Sequence, residues 1–232
     1  MKLAIMQPYF FPYVGYWQLI NAVDKYIIYD DVNFIKGGWI NRNKILMNGE
    51  DKQINLQMHN ASPNKLINEV EVLGNIVYNK KLLKTLESNY GKAPYFSDAF
   101  PVINNIITLE EKNLAKYLES SIRLVCKYLS INTEILVSSE IKKNNELRGQ
   151  DKVIEICKIL EADEYINAIG GQDIYSREDF DAQRILLRFL KTGKIIYRQL
   201  MNDFVPNLSI IDVMMFNSPE QIKELLEIYE LI

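Results

Sequence analysis

Apolar residues recur along this chain in two spacings that alternate several times. Short unbroken runs at Leu3-Ala4-Ile5-Met6 and Tyr26-Ile27-Ile28-Tyr29 predict buried strands, and Tyr16 to Val23 between them predicts a short helix. This opening β-α-β takes about 30 residues, the size of a parallel unit with a right-handed crossover. A polar, glycine-containing segment follows from Asn33 to Arg42, and Gln53 to Met58 predicts another strand. The middle of the chain changes period. Leu114, Tyr117, Leu118, Ile122, Val125 and Leu129 recur at three- and four-residue spacing, and Ile76 to Tyr90 and Phe100 to Ile107 predict two further helices. Strands then return at Glu134 to Val137, Glu164 to Asn167, Ile185 to Phe189 and Ile195 to Arg198, with a helix marked by Val153, Ile154, Cys157 and Leu160. Ser218-Pro219-Glu220-Gln221 opens a last helix with a capping box. The expectation is a single α/β domain over residues 1–232: a mostly parallel central sheet, Rossmann-like, with a helical insertion at about 76–130.

The turn after the first strand is the densest feature. From Pro8 to Trp17 it holds two prolines, one glycine and six aromatic residues in ten positions. Pro8 and Pro12 fix φ and bias the residues before them toward extended geometry, and Gly15 permits close backbone approach. A turn at a strand end has too little interior for six aromatic side chains. Some of them are therefore expected to line a pocket, and Gln7, Tyr9, Phe11, Tyr13, Gly15 and Tyr16 are the candidate binding residues.

Composition narrows the function classes. About half of the 232 residues are apolar, and the formal charge of −3 argues against a broad nucleic-acid surface. Cys126 and Cys157 sit in helical patterns with no CxxC or His-rich neighbourhood, so they read as small buried residues of a reducing compartment. No apolar run approaches a membrane span and no cleavable signal precedes the first strand, so a cytoplasmic location without membrane insertion is expected. The one histidine, His59, has no Ser or Cys signature beside it.

Three further segments carry candidate chemistry. Asp30-Asp31 ends the second strand, where alternation sends one carboxylate toward the first turn to act as base, sugar ligand or metal ligand. Lys36, Gly37, Gly38, Trp39, Asn41, Arg42 and Asn43 put cations and amides around one tryptophan: Lys36 and Arg42 suit phosphate, and Trp39 suits a base or sugar face. Gly170-Gly171, with Tyr175, follows another strand and offers a second wall. A fourth segment runs from Tyr197-Arg198-Gln199 through Asn202 to Asp212, where Gln199 is a binding candidate and Asp212 lies either on the polar side of a helix or partly buried with a partner such as Arg42. There is no P-loop, GxGxxG, GxSxG or HExxH.

Together these segments resemble the WbqC-like family. The matching residues are Gln7 to Tyr16, Tyr29 to Phe34, Trp39 to Asn43, Tyr165 to Tyr175 and Phe204 to Asp212. The resemblance implies a role among bacterial surface polysaccharides, O-antigen or capsule, in making or modifying an activated sugar. A second likeness is to nucleotidylyltransferase-like folds, whose His-x-Gly-His stands where this chain has Tyr13-Val14-Gly15-Tyr16. Neutral tyrosines donate hydrogen bonds to phosphate but supply no positive charge.

The leading expectation is a transferase that moves an acyl or aminoacyl group onto a nucleotide-linked amino sugar, with Asp31 or Asp30 as base. A nucleotide or an acyl carrier is the cosubstrate class this calls for. Nucleotidylyl or adenylyl transfer, which needs Mg²⁺, is the second reading, and a non-enzymatic binding or scaffold protein is the third.

Overall fold

The computed structural model describes residues 1–200 and 203–232, so Asn202 lies outside the described residues. β1 (Lys2–Met6), α1 (Val14–Asn21) and β2 (Lys25–Ile28) form the opening unit, and β1 pairs parallel with β2. β3 (Arg42–Met47) and β4 (Glu50–Asn55) make a hairpin closed by Asn48-Gly49, with φ of 53° and 82°. Positive φ at both turn residues matches the twist of the flanking strands. The short pair β5 (Met58–His59) and β6 (Glu71–Val72) leads into α2 (Ile76–Tyr90), α3 (Phe96–Ile107) and α4 (Leu114–Leu129). β7 (Glu134–Val137), α5 (Gly149–Ile159), β8 (Glu164–Ala168), α6 (Arg177–Ala182) and β9 (Leu186–Thr192) restore the alternation. The chain closes with α7 (Ile210–Phe216), α8 (Pro219–Leu226) and β10 (Tyr229–Leu231).

Among the described residues the main sheet has six strands in the order β10-β9-β8-β1-β2-β7. All neighbours are parallel except β10, which runs antiparallel to β9. The chain lays β1, β2 and β7 outward in one direction, then returns to place β8 and β9 on the other side of β1. The order reverses between β1 and β8.

Period-two alternation divides the core into two layers. Ala4, Tyr26, Ile28, Ile166 and Leu190 face α1, α4, α7 and α8. Leu3, Ile5, Ile27, Tyr165, Leu187 and Phe189 face Val153, Ile156 and Cys157 of α5 and Phe180 of α6. The stripe expected on α4 is buried throughout, from Leu114 to Leu129. The α2–α4 layer lies on the α1 side, where α3 packs on α7 and α4 on α8.

Two expected strands differ. The Gln53–Met58 strand is β4, which begins at Glu50 because its partner β3 sets the register, Met47 opposite Glu50 and Arg42 opposite Asn55. Ile195–Arg198 is not a strand, because Tyr197 is drawn onto Asp212 while β10 takes the place beside β9.

Candidate functional site

In open α/β sheets the loops leaving two strands on either side of an order reversal diverge and open a crevice at the carboxyl ends. Here the crevice is a cleft of about 620 Å³. Gln7, Tyr9, Tyr13, Gly15 and Tyr16 line it from the first turn and α1, Tyr29 from the end of β2, and Trp39 from the following loop. Asn167, Gly170, Gly171 and Tyr175 line it from the β8 side. Among the described residues no Asp, Glu, Lys, Arg or His lines it. The walls are five tyrosines, one tryptophan, two amides and aliphatic carbon.

The first turn is held by its carbonyl groups. Asn43 Nδ2 donates to the Phe11 carbonyl at 2.8 Å and the Phe10 carbonyl at 3.2 Å. The Ser209 hydroxyl also donates to the Phe11 carbonyl at 2.8 Å, and Trp17 Nε1 donates to the Pro12 carbonyl at 3.0 Å. Phe11 is fully buried with φ of 44° and packs edge-on to Phe10. Its side chain belongs to the core and does not line the cleft. Gly15 is required by close approach, since a Cβ there would stand 2.5 Å from both the Tyr13 ring and Thr192 Oγ1.

The Asp pair lies beside the cleft, outside its walls. Asp30 is buried and accepts from Ser139 N at 2.9 Å, Ser139 Oγ at 2.6 Å and Asn68 Nδ2 at 3.1 Å. Asp31 Oδ2 lies 2.8 Å from Lys143 Nζ and 2.9 Å from Lys152 Nζ, both of them buried. Lys152 also donates to the Asp31 carbonyl and sits 5.2 Å from the Tyr29 ring centre. Burial pushes the Asp31 carboxyl up, but the ammonium groups of Lys143 and Lys152 outweigh it, and the net displacement is below the ordinary value. Lys143 and Lys152 come from more than 100 positions downstream, and no sequence motif marks them.

Trp39 is 46% exposed at the mouth, with the Arg42 guanidinium 5.7 Å from its ring centre. Lys36 is exposed on the same loop. Asn41 Nδ2 bonds the Leu56 carbonyl, which makes it a hairpin support. Gln199 does not reach the cleft. Its Nε2 donates to Asp212 Oδ2 at 2.7 Å, while Tyr197 and Tyr90 donate to the same carboxylate at 2.6 and 2.9 Å. Asp212 is thus the buried alternative, satisfied by three neutral donors and not by Arg42. Burial pushes Asp212 up, with those three hydrogen bonds opposing.

The structure therefore brings Gln7, Tyr9, Tyr13, Gly15, Tyr16, Trp39, Gly170, Gly171 and Tyr175 to one cleft. Tyr29 and Asn167 line it too; both stand in segments the sequence marks, but neither is singled out there as a binding residue. Their signal is positional: each lies at the carboxyl end of a strand flanking β1. Burial pushes the hydroxyls of Tyr9, Tyr16, Tyr29 and Tyr175 above the ordinary tyrosine range, so at neutral pH they donate hydrogen bonds and do not act as bases. Burial also pushes the thiols of Cys126 and Cys157 up to about 12, which leaves them unreactive. His59 lies on β5, 3.8 Å from Glu71, and does not line the cleft. Among the described residues no three His, Cys, Asp or Glu side chains converge as a metal site, and no helix is long and apolar enough to cross a membrane.

The fold defines a mixed α/β protein with a mostly parallel central sheet and an aromatic cleft where its strand order reverses. The WbqC-like protein family model matches residues 7–224, and the chain belongs to that family. A protein of Mycobacterium tuberculosis (strain ATCC 25618 / H37Rv), named Uncharacterized protein Rv1507c, is 28% identical over 221 residues, covering 92% of each chain. No solved structure matches the chain significantly.

Proposed function

We propose that this cleft binds a nucleotide-linked amino sugar and that the protein is a transferase of bacterial surface-polysaccharide biosynthesis, moving an acyl or aminoacyl group onto the sugar's amine. One observation carries the reading: a cleft of ligand size, at the reversal of the strand order, walled by aromatic rings and amides and free of formal charge. Counted in chain order, the parallel strands lie third-second-first-fourth-fifth, which supports a Rossmann-like description and a ligand at this crevice.

The chemistry follows from the walls. Acyl transfer needs an unprotonated amine, and an uncharged, partly desolvated cleft disfavours the ammonium form. The amine lone pair attacks the carbonyl carbon of the donor, taken as a thioester of an acyl carrier. The C–N bond forms, and the tetrahedral oxyanion accepts hydrogen bonds from tyrosine hydroxyls or the Gln7 amide. Collapse breaks the C–S bond, and the departing thiolate takes the amine proton. In this reading Asp30 and Asp31 are positioning residues: Asp30 anchors Ser139, and Asp31 fixes Lys152 against Tyr29. Lys36 and Arg42 supply the cations at the mouth for phosphate.

A thermal-shift screen of nucleotide-linked amino sugars, free nucleotides and acyl carriers tests the proposal. Specific binding raises the midpoint by mass action, by about 2.7 kcal/mol of stability at a hundredfold excess over Kd. The expected hit is a nucleotide-linked amino sugar, followed by N-acylated product in mass spectrometry once a donor is added. Pyrophosphate release from a nucleoside triphosphate would instead select nucleotidylyl transfer. A stable protein complex with no small-molecule shift would select a scaffold.

A further inference from the structure

The cleft has a neighbour. A second chamber of about 320 Å³ is lined by Tyr9, Pro12, Tyr13, Trp39, Asn43 and Asn207. Tyr9, Tyr13 and Trp39 line both cavities, so three aromatic side chains form the wall between them. Among the described residues neither chamber has a charged lining side chain. The outer one is built from ring faces: the Asn43 amide is already committed to Phe10 and Phe11, and Asn207 is the exposed polar residue of the set. Positive charge sits against the shared wall instead. The Arg42 guanidinium packs on Trp39, makes no ion pair among the described residues, and has its buried Nε without a hydrogen-bond partner.

From this arrangement we propose that the site takes a bipartite ligand: an amino-sugar ring in the inner cleft and a nucleoside base in the outer chamber. An anionic phosphate linker passes Trp39 beside Arg42. The inference rests on the function proposed above and adds to it the division of the ligand between two chambers. Uncharged aromatic surfaces suit the two rings, because stacking and CH contact need no counter-charge. The one part of such a ligand that carries charge then meets Arg42, a cation packed on the shared wall with no carboxylate partner among the described residues. Arginine serves there because its planar group both stacks on an indole and holds phosphate oxygens.

Isothermal titration with UDP- and dTDP-linked hexosamines, UDP, dTDP, uridine, thymidine and hexosamine 1-phosphate tests this on the intact chain. Two variants separate the chambers. Asn207→His enlarges a side chain of the outer chamber at a left-handed position (φ 59°) that His tolerates, and at pH 8 the imidazole is neutral. Gly170→Leu adds bulk at the inner cleft, where a Cβ meets nothing within 4 Å. Asn207→His should weaken the free nucleotides at least about fivefold, roughly 1 kcal/mol, and leave hexosamine 1-phosphate unchanged. Gly170→Leu should do the reverse, and the conjugate should bind more tightly than either half. Arg42→Met should weaken UDP or dTDP while leaving uridine or thymidine unchanged, a split that a merely structural role would not produce. If the conjugate binds but both chamber variants weaken both halves alike, or the two halves displace each other, the division into two chambers is wrong and the proposed function stands. If neither the conjugates nor their halves bind, both proposals fail.

Discussion

Asn43 Nδ2 lies 2.8 Å from the carbonyl oxygen of Phe11, a buried residue held at φ 44°. A left-handed conformation in a bulky residue costs of order 1–3 kcal/mol and persists only where its surroundings over-determine it. Here an amide on β3 and a hydroxyl at the start of α7 fix that carbonyl from two directions. The constraint turns the chain so that Tyr9 and Tyr13 face the cleft while Phe10 and Phe11 enter the core.

Asn43→Ala removes the donor, strands the Phe10 carbonyl and leaves the Phe11 carbonyl to Ser209 alone. Stability should fall by about 2 kcal/mol, read from urea unfolding. Ligand affinity should fall with it, because Tyr9 and Tyr13 lose their fixed approach. Asn41→Ala on the same strand edge, which removes only a bond to Leu56, should leave affinity unchanged.

Gly15→Ala places a methyl group 2.5 Å from the Tyr13 ring and Thr192 Oγ1. The ring must move, and Tyr13 belongs to the wall of both chambers. The expected result is a loss of affinity for conjugate and free nucleotide alike, measured by titration, with the helical circular dichroism signal retained.

Asp31 and Asp212 give opposite acid responses. The folded-state pKa of Asp31 is depressed, so its contribution is fully present above the ordinary carboxyl value of about 3.9 and is lost as pH falls through the lower folded value. Asp31→Asn leaves buried Lys143 and Lys152 without their carboxylate. It should cost about 3 kcal/mol at pH 7 and flatten the acid limb of the stability profile.

For Asp212 the folded-state pKa is raised, so its contribution is present below the ordinary value and declines as pH rises through the raised one. Asp212→Ala strands the hydroxyls of Tyr90 and Tyr197 and the amide of Gln199, and should cost about 3 kcal/mol. Hydrogen exchange should quicken at 195–200 and 203–208, which these bonds tie to α7, more than in α1.

The chain has two tryptophans, one exposed at the cleft mouth and one buried (Trp39 46%, Trp17 1%). Acrylamide should quench Trp39 alone, and a bound nucleotide-linked amino sugar should reduce that quenching by about half or more at saturation, since pocket ligands bury most of their surface. Trp39→Phe should abolish the protection while leaving the Trp17 emission unchanged.

Period and composition along the chain were enough for the elements that depend on their own residues. The apolar runs at Leu3–Met6 and Tyr26–Ile28 are strands because short unbroken apolar stretches bury both faces of a parallel sheet, and the α4 stripe is a helix because its apolar residues fall on one side. The aromatic turn could be recognised as a wall because six rings exceed the interior of one strand end. What local pattern does not carry is partnership across long separations. Nothing near Asp31 announces Lys143 and Lys152, and although Gln199 and Asp212 share one segment, their pairing is not legible in it, so Asp31 and Gln199 read as site residues until the fold supplies their partners. Strand order decides the rest. Only when β8 returns to the far side of β1 do Gln7 and Tyr9 come to face Gly170 and Tyr175, because a crevice between two strand ends is a property of their adjacency and of neither sequence alone.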